Sequence, residues 1–390
     1  MNMGNITRRE MVGRVAGALG GLAAAPMFNR NRYRLFAHSP DDYSARTLAL
    51  LERSTVLDML GVLSIDSTWS GWALNPESFT EADHELYRSS GIQVFHHAFG
   101  LGGLNAYDSA LRYVASLNAL VAGADRYFMR IASGHDLQRV KASGKTGILI
   151  GIQNADQFRT ADDVELFQGL GLRIAQLTYN ARNRIGNGAT ERVDGGISNF
   201  GVAIIERMNR VGMAIDVSHC GDQTTLDAFE ISGRPVLITH SNCRALVPGH
   251  PRCKTDEAIR AMARSGGVMG ITGVRNFVSL EEPTTIDHVV DHFDHVRRLV
   301  GAEHLGVGSD MDLFGYDALP AAMQASLRAG YADTYAFRDR IDIEGLDHPK
   351  RMFDLTEGLV RRGFSDEEIE GILGKNFIRV LSDLWTPLEA

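Results

Sequence analysis

The chemistry of this chain centres on two histidines. Met213-Ala-Ile-Asp-Val-Ser-His219 and Pro235-Val-Leu-Ile-Thr-His240 are short apolar, β-branched runs, each closed by a histidine and separated by a helical interval. In open sheets and (β/α) barrels the reactive side chains sit at the carboxyl ends of parallel strands, so successive strands ending in His put two imidazoles in one mouth. Neutral imidazole is a common metal ligand. A single strand-end His reads as a core residue, whereas two in consecutive units, followed by His250-Pro-Arg252, read as a site. Gln93-Val-Phe-His96-His97 adds a second pair near the same mouth. Strand alternation turns one of that pair inward, as a replacement ligand or acid/base, and the plainer reading is a structural His bonded to a carbonyl.

Positioning these groups takes a regular frame. Strand-like segments are expected at Thr55–Gly61, Gly91–Ala98, Thr146–Gln153, Ile174–Tyr179, Met213–His219, Pro235–His240, Val268–Val274 and His304–Asp310. Eight buried strands alternating with helices predict a (β/α)8 TIM-like barrel. Asn199 caps one intervening helix that stops at Gly212, and Thr255 opens another that stops at Gly266. Thr284 to Val300 is a longer amphipathic helix whose His288, His292 and His295 share one side. Solvated histidines beside Asp287, Asp291 and Asp294 explain that row better than a metal does. A further amphipathic helix after Ser365 closes the chain.

Composition sets the bounds. With 390 residues, 44% hydrophobic, one barrel domain fits the length, and the net charge of −8 without a basic run argues against nucleic acid. Cys220, Cys243 and Cys253 form no CxxC and read as small buried thiols. Residues 1–26 hold Arg8-Arg9 ahead of a modest Val/Ala/Gly/Leu run ending in Ala23-Ala24-Ala25, the pattern of a twin-arginine (Tat) export signal. The run is too short and too Gly/Ala-rich for a permanent membrane span. The expected organisation is a signal over 1–26, an arm and helix over 27–54 and the catalytic domain over 55–390. The Tat machinery is then a partner, the periplasm or cell exterior the destination, and a homodimer is left open.

Several stretches carry a resemblance: Gly171-Leu-Arg-Ile-Ala-Gln-Leu-Thr-Tyr-Asn180, the run into His219, Thr239-His-Ser-Asn242, His250-Pro-Arg252, Gly306-Val-Gly-Ser-Asp310 and Gly374-Lys-Asn-Phe-Ile-Arg379. From about Thr55 to Leu384 the chain resembles the membrane (renal) dipeptidase family of zinc peptidases, within the amidohydrolase-like barrels. The resemblance implies that His219 and His240 bind one of two zinc ions. It implies that Arg252 holds a substrate carboxylate through its planar fork, and that Asp310 faces the nucleophilic water and the substrate's amino end. Asp312 is a weaker candidate for that role.

The departures bear on the same site. The His and Asp of the family's strand-one run are here Leu60 and Val62, the bridging Glu is Gln153, and the strand-four His is Tyr179. The family's two-zinc site cannot be built from these residues. His219, His240 and Asp310 still make a two-histidine, one-carboxylate set for a single Zn2+ at most, with Gln153, His96 or His97 as further ligands. Tyr179 replaces the missing His as a donor to an oxyanion, and Gln153 and Tyr179 also face the substrate. Three function classes follow. One is a metal-dependent hydrolase of a small peptide or amide with a free carboxylate; the second is a lyase or isomerase on a carboxylated small molecule; the third is an inactive binding or maturation factor.

Overall fold

Thr146–Ile152 is the longest strand among the described residues, and all seven of its residues are buried, so its sequence is a continuous apolar run rather than an alternating one. Such strands need cover on both faces, which is what a parallel barrel wrapped in helices provides. The computed structural model describes residues 43–66, 68–335, 337–338 and 340–386. The expected export signal and most of the arm lie outside the described residues.

The strands are β1 (Leu57–Asp58), β2 (Val94–His97), β3 (Phe128–Ile131), β4 (Thr146–Ile152), β5 (Ile174–Gln176), β6 (Ala214–Asp216), β7 (Ile238–Ser241), β8 (Met269–Ile271) and β9 (Leu305–Val307). They form two parallel arcs, β1-β2-β4-β5-β6 and β7-β8-β9. One seam between the arcs is closed by the bridge Asp216↔Leu237, the other by Gly61↔Met311. Backbone bonds reinforce the second seam, from Met59 N–H to Val307 O and from Asp310 N–H to Leu60 O, both 2.8 Å. The ring therefore has the eight strands expected.

The ninth strand, β3, was not expected. It pairs with the first half of β4, while β5 pairs with the second half. Four residues, Phe-Met-Arg-Ile, lie between the helices Ala106–Gly123 and Gly134–Ser143, too short a run to show a strand period.

Two helix details differ from expectation. The helix Asn199–Val211 is capped by Ser198, whose side chain accepts from Gly201 N–H, and Asn199 is its first residue. On the helix Ile286–Val300, His292 is fully buried rather than solvated. It accepts from Cys243 N–H at 3.0 Å and meets Val278 O at 2.8 Å. His288 meets its own N-cap Thr285, and His295 meets Asp256, so the row is structural.

At the amino end of the barrel, Leu57, Val94, Ile174, Leu237 and Val268 pack with Phe377 and Leu381 of the closing helix Asn376–Leu384. That plug leaves the carboxyl end as the open one. No helix among the described residues is long and apolar enough to cross a membrane.

Candidate active site

The carboxyl ends of the strands surround a cavity of about 540 Å³ whose lining includes Gln153, Tyr179, His219 and Asp310. Each follows its strand by one to three residues, where the chain leaves the ladder and the side chain can turn into the mouth. Asp310 and Asn180 hold left-handed backbone conformations, with φ of 61° and 58°. Non-glycine residues rarely adopt these, and here both flank the site.

His219 and His240 meet directly, Nε2 to Nε2 at 2.9 Å. Their other nitrogens fix the tautomers. His219 Nδ1 lies 2.8 Å from Asn180 Oδ1, an acceptor, so Nδ1 carries the proton. His240 Nδ1 lies 2.8 Å from Thr239 Oγ1, whose hydroxyl already donates to Asp216 Oδ2 at 2.7 Å. That hydroxyl oxygen must therefore accept from His240 Nδ1–H. Two Nε2 lone pairs thus face each other, an arrangement that repels unless a proton lies between them or the rings turn so that both meet on one cation off the N···N line. Burial first, then the nearby Arg252 charge, pushes both imidazoles well below the ordinary histidine range, which disfavours the proton.

Tyr179 stacks on His219 with ring centroids 4.2 Å apart, and its hydroxyl lies 2.8 Å from Tyr331 Oη. Burial raises its pKa well above the usual phenol value, so it stays an O–H donor. Tyr335 donates to Asn180 Oδ1 at 3.1 Å and stacks on Tyr331. Sequence reasoning missed Asn180, Tyr331 and Tyr335. Asn180 stood in a motif already quoted, but the two tyrosines lie on the helix Ala321–Tyr335, which no strand-end pattern marks.

Burial raises the Asp310 carboxyl to about 6, although Arg252 opposes the shift. In metal-free protein the folded state therefore holds this proton between about pH 4 and 6 while the unfolded state has released it, so stability falls as pH rises through that window. Asp310→Asn should flatten this part of a melting-temperature profile against pH. A profile of unchanged slope would show that the carboxyl titrates normally.

Five expectations need correction. Among the described residues no three His, Cys, Asp or Glu side chains come together as a metal shell, so His219, His240 and Asp310 are not an assembled triad. His96 is bonded at Nδ1 to Met59 O at 2.6 Å, its Nε2 packs on Gly151 with no hydrogen-bond partner among the described residues, and it does not line the cavity. His97 accepts from Leu63 N–H at 3.0 Å and sits among Trp69, Phe99 and Tyr113. Arg252 does not offer an open fork, because it is fully buried and donates to the carbonyls of Ser218 and His240 beneath the cavity. Gln153 does line the cavity, with its Nε2 donating to Ala98 O at 2.9 Å. Asp312 is structural, accepting from Ile65, Phe314 and Gly315 N–H.

The model of the membrane dipeptidase family (peptidase family M19) matches residues 73–329 and 336–386. The chain belongs to the membrane dipeptidase family. It is 30% identical to dipeptidase verJ of Clonostachys rogersoniana over 71% of its own length and 66% of that protein, just under two thirds of the relative. A crystal structure of an amidohydrolase from Pseudomonas aeruginosa superposes with a TM-score of 0.74 at 29% identity, covering 87% of this chain and 99% of that one. The probable dipeptidase PvdM of the same organism shares the fold, with a TM-score of 0.73 at 18% identity, covering 90% of this chain and 100% of that one.

Within this family the donor set decides what the site can hold. At the positions the resemblance assigns to the first metal's ligands, Leu60 and Val62 form a buried apolar cluster with Ala98, Ile65 and Phe99. A divalent ion there would lose its hydration without compensation, so these residues do not fit one. The Nε2 atoms of His219 and His240 are the donors left for an ion, with their tautomers already set by Asn180 and Thr239.

Proposed function

We propose that this chain is a metal-dependent hydrolase of small peptide-like amides bearing a free carboxylate, with one Zn2+ at most, held by His219 and His240. The observation that carries the reading is the 2.9 Å approach of two Nε2 lone pairs beside the cavity that Asp310 and Tyr179 line. A zinc ion held there would supply a water of lowered pKa. Asp310 would be the base or the partner of the substrate's amino group, and the Tyr179 hydroxyl would donate to the oxygen on which negative charge develops. Among the described residues the buried Arg252 has no carboxylate partner and its Nε no hydrogen-bond partner. Such a cation attracts an anionic ligand from beneath the floor. The same charge opposes the metal, so affinity for it is expected to be lower than in a site with a bridging carboxylate.

The second reading, a binding or non-hydrolytic role, is favoured by the absence of an assembled third ligand among the described residues. Zinc content of protein purified without chelator, measured with initial rates on Ala-Ala and its C-terminal amide, separates the two. The hydrolase reading expects about one ion per chain and preferential cleavage of the free acid. A metal-free protein that cleaves neither would overturn it. Export by the Tat route is part of the proposal, supported by Arg8-Arg9 and the Ala-rich run.

A further inference from the structure

We infer that one end of the cavity, walled by Val62, Ile65, Trp69, Ala98, Phe99 and Tyr113, is a specificity pocket for a large apolar side chain, aromatic above all, on the substrate. The inference rests on the reading that the cavity takes dipeptide-sized amides, and it names which ones.

The cavity is divided by polarity. Asp310, His219, Tyr179 and Gln153 gather the groups that can engage an amide or an amine. The apolar lining falls into two sets, Val274, Leu327, Phe337 and Ile341 in one and the pocket's own six residues in the other. Val62 and Ala98 are buried and pack with Ile65 and Phe99 in one cluster. Trp69 extends it, with its ring 6.2 Å from Phe99 and 5.6 Å from Tyr113. The Tyr113 hydroxyl is turned away and donates to His97 O at 2.6 Å, so the ring face and not the polar tip is left for the cavity. Gln153 joins the two regions, since its Nε2 donates to Ala98 O and its backbone N–H donates to Phe99 O at 2.9 Å. A substrate amide held near His219 is therefore within one side chain's reach of the apolar wall.

Size argues the same way. A dipeptide of small residues leaves most of about 540 Å³ empty and the aromatic wall wet. An aromatic side chain covers roughly 150–250 Å² of apolar surface and can meet Trp69, Phe99 and Tyr113 edge-to-face. None of the six wall residues is charged, but Arg112, next to Tyr113, also lines the cavity, so a basic side chain would be desolvated there beside a like charge.

The test is equilibrium binding of Gly-Gly, Ala-Ala, Phe-Ala and Ala-Phe to the purified protein, read by calorimetry and by the fluorescence of Trp69 and its neighbours. At least one Phe dipeptide should bind about 10- to 100-fold more tightly than Ala-Ala. Ile65→Trp, which fills the pocket from a partly exposed position, should bring the ratio of the two affinities close to one. Phe99→Leu should lower that ratio several-fold and serves if the tryptophan variant misfolds. Equal affinities for Phe and Ala dipeptides, or a ratio that neither variant changes, would overturn the inference. So would the absence of dipeptide binding. Tight, selective binding without cleavage would keep the pocket and remove the hydrolase reading, whereas cleavage with no preference for Phe would do the reverse.

Discussion

His240→Ala should leave the protein folded, without tightly held zinc, and lower kcat/KM on a small dipeptide by at least about a thousandfold. The expectation follows from how few donors the site has. His219 and His240 are the facing nitrogens, Leu60 and Val62 offer nothing nearby, and no third His, Cys, Asp or Glu among the described residues completes a shell. Removing one of two fixed ligands leaves a single imidazole, which cannot hold an ion against bulk water. Asn180→Ala is the informative contrast, since it keeps both ligands and removes only the acceptor that sets the His219 tautomer. Loss of such a partner costs about 10- to 100-fold in metal affinity. Zinc retained after dialysis and initial rates measure both effects, and a His240→Ala enzyme within tenfold of wild type would rule out the histidine pair as the ion's seat.

Arg351→Met should destabilise the fold by about 3–5 kcal/mol, the largest effect on stability expected from one substitution here. Arg351 and Asp58 are both almost fully buried, with NH2 to Oδ2 at 2.9 Å. Asp58 also accepts from Ser309 N–H at 2.8 Å and from Ser309 Oγ–H at 2.6 Å, and Arg351 donates to Asp312 O at 2.6 Å. Removing the guanidinium strands a carboxylate in the interior. Adding Asp58→Asn to that variant removes the stranded charge, and the double mutant should regain a substantial part of the loss in urea unfolding. A single mutant within 1 kcal/mol of wild type would show that Asp58 finds water or another donor.

Much of this site was legible because strand-end chemistry has a sequence signature. His219, Gln153, Tyr179 and Asp310 line the open-end cavity as their positions after apolar runs predicted, His240 lies in β7 against His219, and the eight-strand ring follows from the same runs. The unread parts depend on orientation and on distant chain. Nothing local marks Arg252 as turned inward toward the carbonyls of Ser218 and His240. Alternation indicated that His96 and His97 point opposite ways, but not that Met59 O and Leu63 N–H already engage them. Tyr331 and Tyr335 reach the site across more than 110 residues of sequence, on a helix with no distinguishing pattern. Gly315 and Asp342 show the same limit in the loops, where close packing depends on chain far apart in sequence.

The two seams of the barrel share a construction. At one, Asp58 ties β1 to Ser309 just past β9. At the other, Asp216 accepts from Ser218 and Thr239 and so ties β6 to β7. Each seam is stitched by a buried side chain where the backbone ladder is short. His219 follows β6 and His240 belongs to β7, so the imidazole pair straddles the second seam. An ion seated there would act as a removable rivet between the two arcs of the ring. Amides bordering the seam would then exchange with solvent more slowly with zinc added than without, and its removal would loosen the wall of the cavity without unfolding the barrel.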